Sequence, residues 1–136
     1  VEPPPPPPPV EPPPPAEPPP AEPPPAEPPA PGIGCADLSE QYSGSLAGSQ
    51  DQDYYASSSG FVVPAGTQSG CLDGPAGVDF DLALQFWQGS RWVTVAISQS
   101  LRPDERITYS GPAGTYRWRV YSFSGSGNYS FGMQRP

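Results

Sequence analysis

From Tyr42 onward the apolar residues of this chain recur at every second position. That is the period of a strand with one buried face, and nowhere does the spacing settle into the 3.6 residues of a helix. The stretch from Val78 to Trp87 shows it best: Phe80, Leu82, Leu84 and Phe86 fall on one face, and Asp79, Asp81 and Gln85 fall on the other. Gln88-Gly89-Ser90-Arg91 reads as a hairpin loop, after which Val93, Val95 and Ile97 share the inward face. A short strand from Arg106 to Ser110 comes after a turn at Pro103-Asp104, and Gly111-Pro112-Ala113-Gly114 turns the chain again. Tyr116, Trp118 and Val120 then alternate with Arg117, Arg119 and Tyr121, which predicts Trp118 in the core, and a last strand carries Tyr129, Phe131 and Met133. Earlier strands are expected at 43–46, 54–62 and 68–72. Short strands separated by glycine-rich turns, each with one apolar face, predict an all-β fold: an antiparallel β-sandwich with almost no helix.

Composition divides the chain in two. Twenty of the 25 prolines lie between Pro3 and Pro31, and every aromatic residue lies between Tyr42 and Phe131. We therefore expect a proline- and glutamate-rich linker over 1–34 and a sandwich domain over 35–136. The linker repeats Ala-Glu-Pro-Pro-Pro from Ala16 and again from Ala21, with a shortened copy from Ala26. Proline fixes φ, removes a donor and biases the residue before it toward extended geometry, so the tract is expected to form polyproline II. A semi-rigid spacer and a ligand for proline-reading domains are both open, and the missing basic flank favours the spacer. A spacer in this position implies a second, catalytic domain ahead of it in a longer precursor. The sandwich domain itself is expected to be a monomer.

The net charge of −8 is unevenly spread, because Glu2, Glu11, Glu17, Glu22 and Glu27 all belong to the linker. Lysine is absent and the six cations, all arginine, are scattered along the sequence. That pattern argues against a nucleic-acid partner. No run of eighteen apolar residues is present, which argues against a helical membrane span. No signal-peptide pattern opens the chain, so if the protein is secreted its signal belongs to a longer precursor. The two cysteines, Cys35 and Cys71, lack the spacing of a metal or redox motif, and no histidine is there to complete a site. A disulfide in a secreted, extracellular domain is the favoured reading, and two buried thiols is the bland one.

Candidate chemistry is sparse. Serines are many, but no histidine or lysine can serve as their base, so a catalytic role is not expected. Asp51, Asp53, Asp79 and Asp81 form two i, i+2 pairs that could hold calcium; solvated charge at strand edges is the alternative. Asn128-Tyr129-Ser130 fits a glycosylation pattern and reads as a turn. Trp87 and Trp92 carry the parity of the outer face and flank the hairpin loop. They are expected opposite one another as a ligand-binding pair, with Arg91 adding a polar rim; alternatively they only cover each other.

Five segments taken in order carry a resemblance to a known family: Asp51-Gln52-Asp53-Tyr54-Tyr55, the strand Asp79-Phe80-Asp81-Leu82-Ala83-Leu84, Glu105-Arg106-Ile107-Thr108-Tyr109, the run from Ala113 to Val120, and Gly125-Ser126-Gly127-Asn128-Tyr129-Ser130-Phe131. Over about Leu46 to Gln134 the chain resembles the bacterial pre-peptidase C-terminal domain family. The resemblance implies a jelly-roll-like sandwich at the C-terminal end of a secreted peptidase. It implies a module that targets the enzyme to an insoluble substrate such as polysaccharide or collagen, or a processing appendage removed on maturation. Relatives that bind collagen hold calcium with acidic residues near the domain's start; here that region is prolines, Gly32 and Cys35.

Overall fold

The computed structural model describes residues 2–10, 12–13 and 35–136. Residues 2–10 and 12–13 are exposed and carry neither helix nor strand; the rest of the expected linker lies outside the described residues. The ordered elements begin with a single 3-10 turn at Cys35–Asp37. Nine strands come after it: β1 (Glu40–Leu46), β2 (Gln52–Tyr55), β3 (Phe61–Val63), β4 (Gly66–Asp73), β5 (Asp79–Trp87), β6 (Trp92–Ser98), β7 (Glu105–Gly111), β8 (Gly114–Ser124) and β9 (Gly127–Gln134). They form two antiparallel sheets, one ordered β1-β9-β4-β7 and the other β2-β8-β5-β6, with β3 also on β8. The all-β sandwich read from the alternation is therefore the fold. No helix among the described residues is long and apolar enough to cross a membrane.

The core lies between the sheets. Phe80, Leu82, Leu84, Tyr116, Trp118 and Val120 face inward from the five-stranded sheet, and Leu46, Leu72, Tyr129, Phe131 and Met133 meet them from the other. Each such side chain contributes about 1.5–3 kcal/mol by leaving water. Cys71 has the opposite parity to buried Leu72 and pairs with Gly132, so it stands on the outer face of the four-stranded sheet. There it is bonded to Cys35, with Cα atoms 5.3 Å apart, which anchors the 3-10 turn and the chain's entry against that face.

Two strand assignments change. The strand expected over 54–62 is two strands, β2 and β3, collinear along one edge of β8. Tyr55 faces Trp118 and Phe61 faces Tyr116, so residues 56–60 stand against Arg117 alone and must arch out of the sheet. Ser57-Ser58-Ser59-Gly60 suits that excursion: Gly60 has φ of 83° and donates its N–H to Ser57 O at 3.1 Å. The second change is in β6, where Leu84 faces Ala96 but Gln85 faces Thr94. Val95 is thus the extra residue of a bulge, which resets the parity of the residues beyond it. Val95 and Ala96 both pack on the core, and Ile97, expected inside, faces Ala83 on the outer side and is 45% exposed. Asn128 lies in β9 rather than in a turn.

Candidate functional site

The register of β5 and β6 puts Trp87 directly opposite Trp92, as the parity predicted. Their ring centroids are 5.2 Å apart and the planes are tilted by 55°. The turn between them is closed by a hydrogen bond from Gln88 N–H to Arg91 O at 3.0 Å. The indoles do cover each other, but not completely: Trp87 remains 38% exposed and Trp92 is half-buried. With Ser59 and Thr115 they line an open groove of about 380 Å³. One wall of that groove is the arched segment between β2 and β3, brought close enough that Gly60 leaves no room for a Cβ beside the Trp92 ring.

The cation stacked on Trp92 is Arg117. Arg117 faces Gln85 across β8 and β5, on the outer side of the sheet. Its guanidinium lies 3.9 Å from the Tyr54 ring centroid and 4.3 Å from that of Trp92. Nε donates to Gln85 Oε1 at 2.7 Å and Nη1 donates to Ser58 O at 2.8 Å, which pins the arch over the sheet. Stacking and hydrogen bonding together hold a normally flexible side chain in one orientation. Burial lowers the Arg117 pKa from its usual value, with neighbouring Arg119 acting in the same direction, yet an arginine stays charged throughout the physiological range. Arg119 is two residues along the same face, with its guanidinium over Tyr121 at 5.2 Å. Arg91 is exposed in the turn. The alternation along β8 gives Arg117 and Arg119 their outward parity, but nothing local indicates that β8 lies beside β5 and so brings Arg117 against Trp92.

The four aspartates are not brought together. Among the described residues no group of three or more carboxylates, histidines or cysteines is placed to hold a metal ion. Asp51 caps a turn, accepting from Ala47 N–H at 2.7 Å and Gln52 N–H at 2.9 Å. Asp53 faces Val120 and points into the sandwich, where it accepts the Tyr129 hydroxyl at 2.5 Å. Asp79 and Asp81 do share a face of β5, but Asp81 is not the solvated charge expected: it is only 5% exposed. With Gln99, Ser100, Leu101 and Phe123 they line a cavity of about 180 Å³. Burial, then repulsion from Asp79 and Glu105, raises the Asp81 pKa to about 6, and Arg119 offsets only part of this.

No family model matches the chain. Its fold, however, is similar to that of several solved proteins. The pre-peptidase C-terminal domain of a collagenase from Bacillus anthracis superposes with a TM-score of 0.58 over 71% of this chain and 90% of its own, at 20% sequence identity. A mitogen from Yersinia pseudotuberculosis gives 0.56 over 71% and 85%, at 16% identity. A periplasmic inhibitor of g-type lysozyme from Aeromonas hydrophila gives 0.53 over 73% and 87%, also at 16% identity. At such identities the shared property is the sandwich itself.

Proposed function

We propose that this sandwich is a non-catalytic accessory module of the pre-peptidase C-terminal kind, carried by a secreted hydrolase and holding it to an insoluble substrate. Three observations support the reading. The five sequence segments that resemble the family occur in its order, and a domain described by that name shares the fold. The chain has neither histidine nor lysine to activate a nucleophile. The Cys35–Cys71 bridge suits an oxidising, extracellular compartment.

The observation that carries the binding role is the outward pairing of Trp87 with Trp92 beside the immobilised Arg117. Two large rings left partly in water at a hairpin tip, with a fixed donor next to them, suit a ligand that offers ring faces and hydrogen-bond acceptors. Polysaccharides and collagen strands both do so. The test is retention of the full chain on chitin, cellulose and collagen, compared with Trp87→Ala and Trp92→Ala. Wild type should be held by at least one solid, and either variant should bind about tenfold more weakly while its circular dichroism is unchanged. Absence of retention on all three, or equal retention of folded variants, overturns the reading.

A further inference from the structure

We propose that the groove beside Trp87 and Trp92 also docks an acidic proline-rich strand of the composition this chain carries ahead of Cys35, presented by a second copy of the protein. The proposal rests on the reading of this face as a ligand surface but not on the ligand named above. Its first support is shape. Indoles tilted by 55° make the wall of a groove that Ser59 and Thr115 also line. Aromatic-walled grooves receive polyproline II strands, whose prolines seat against the rings and whose stiffness leaves little entropy to lose.

Charge is the second support. The molecule is acidic overall, and the outer face of the five-stranded sheet carries Asp79 and Asp81 at the start of β5 with Arg119 near them, but its hairpin end carries Arg117 against Trp92 and Arg91 in the turn. The proline tract has the complementary sign, with five glutamates and no cation. Its five-residue repeat alternates a carboxylate with a run of three prolines, so a strand in the groove offers rings to the indoles and an acid to the guanidinium within one repeat. Arg117 is already held flat by Tyr54, Trp92 and Gln85, so ordering it on binding costs little.

Topology selects the second copy. The tract joins the sandwich at Cys35, which is bonded to Cys71 on the outer face of the four-stranded sheet. The groove lies on the outer face of the other sheet, so the whole thickness of the sandwich separates the two. A stiff proline-rich strand tethered on one side of a domain reaches the opposite side of that same domain only by reversing its direction around the edge. A neighbouring molecule's strand meets no such constraint, and association of this kind runs head to tail.

The experiment uses the full chain and a synthetic peptide of three Ala-Glu-Pro-Pro-Pro repeats. Wild type should form oligomers at high protein concentration in sedimentation velocity; the peptide should dissociate them and should shift the tryptophan emission saturably. Arg117→Gln and Trp92→Ala should abolish both effects, and a peptide with glutamine for glutamate should bind about tenfold more weakly. No response to the peptide overturns the proposal without recourse to any variant. Equal binding of the glutamine peptide overturns the role of charge, and peptide binding by a chain that stays monomeric overturns the second copy. Retention on chitin, cellulose or collagen without peptide binding sinks this proposal alone; peptide binding without retention sinks the targeting function alone.

Discussion

The indole of Trp118 lies flat against Gly70 of the facing sheet, so closely that a Cβ built on that glycine would stand 2.6 Å from Cζ3. Trp118 is fully buried and central to the core, and Gly70 is the gap in β4 that receives it. Gly70→Ala should therefore destabilise the domain by about 1–3 kcal/mol, despite replacing glycine by a residue no worse suited to a strand. Urea denaturation of wild type and variant measures the difference; a stability within 0.5 kcal/mol or so of wild type would refute the packing argument.

Tyr129 joins the two sheets through hydrogen bonds as well as through its ring contacts with Phe80 and Tyr55. Its hydroxyl donates to Asp53 at 2.5 Å and lies 2.7 Å from the Tyr55 hydroxyl. Burial and these partners push the Tyr129 pKa far above its usual value, so it stays a donor at any working pH. Tyr129→Phe keeps the ring but leaves the Asp53 carboxylate without that donor, at a cost of about 1–3 kcal/mol. Asp53→Asn in the Tyr129→Phe background should lose much less than it does alone, and a double-mutant cycle showing no coupling would rule the interaction out.

Asp81 gives stability a pH dependence of known sign. Its folded pKa, about 6, is raised above the ordinary aspartate value of 3.8, so the native state holds the proton more tightly than the unfolded chain. The stability linked to this group is present in full below pH 4 or so and is lost as pH rises through about 6. Asp81→Asn should flatten that fall and raise stability at pH 7.5 by on the order of 1–3 kcal/mol. Denaturation at pH 4.5 and 7.5 checks it; a variant whose stability tracks wild type at both values contradicts the burial argument.

The Cys35–Cys71 bridge closes a loop of 36 residues' separation. Chain entropy alone assigns it about 4 kcal/mol, a large share of what a domain this small retains. Thiol titration of the denatured, unreduced protein should find no free thiol. Reduction should lower the melting temperature by tens of degrees or unfold the domain, on the order of 4 kcal/mol at roughly 4–8 °C per kcal/mol. A change of only a degree or two would show that the turn at Cys35 holds without it.

The sequence by itself determined the class of fold, the inward faces of β5 and β8, the outward parity of Trp87 and Trp92, and which cysteines could pair. These come from a period of two, and parity needs only neighbouring residues. Tertiary structure decided which elements lie side by side. The bulge at Val95 turned Ile97 outward, because one extra residue reverses every later side chain. The arch from Ala56 to Gly60 divided one expected strand, because β8 offers that segment only Arg117 as a partner. Asp53 went inward to Tyr129, while Asp79 and Asp81 line a separate cavity with Phe123, so the two aspartate pairs did not meet one another. Arg117 became a neighbour of Trp92 only because β8 lies next to β5, a contact set by packing over the whole sandwich and written in no local stretch of residues.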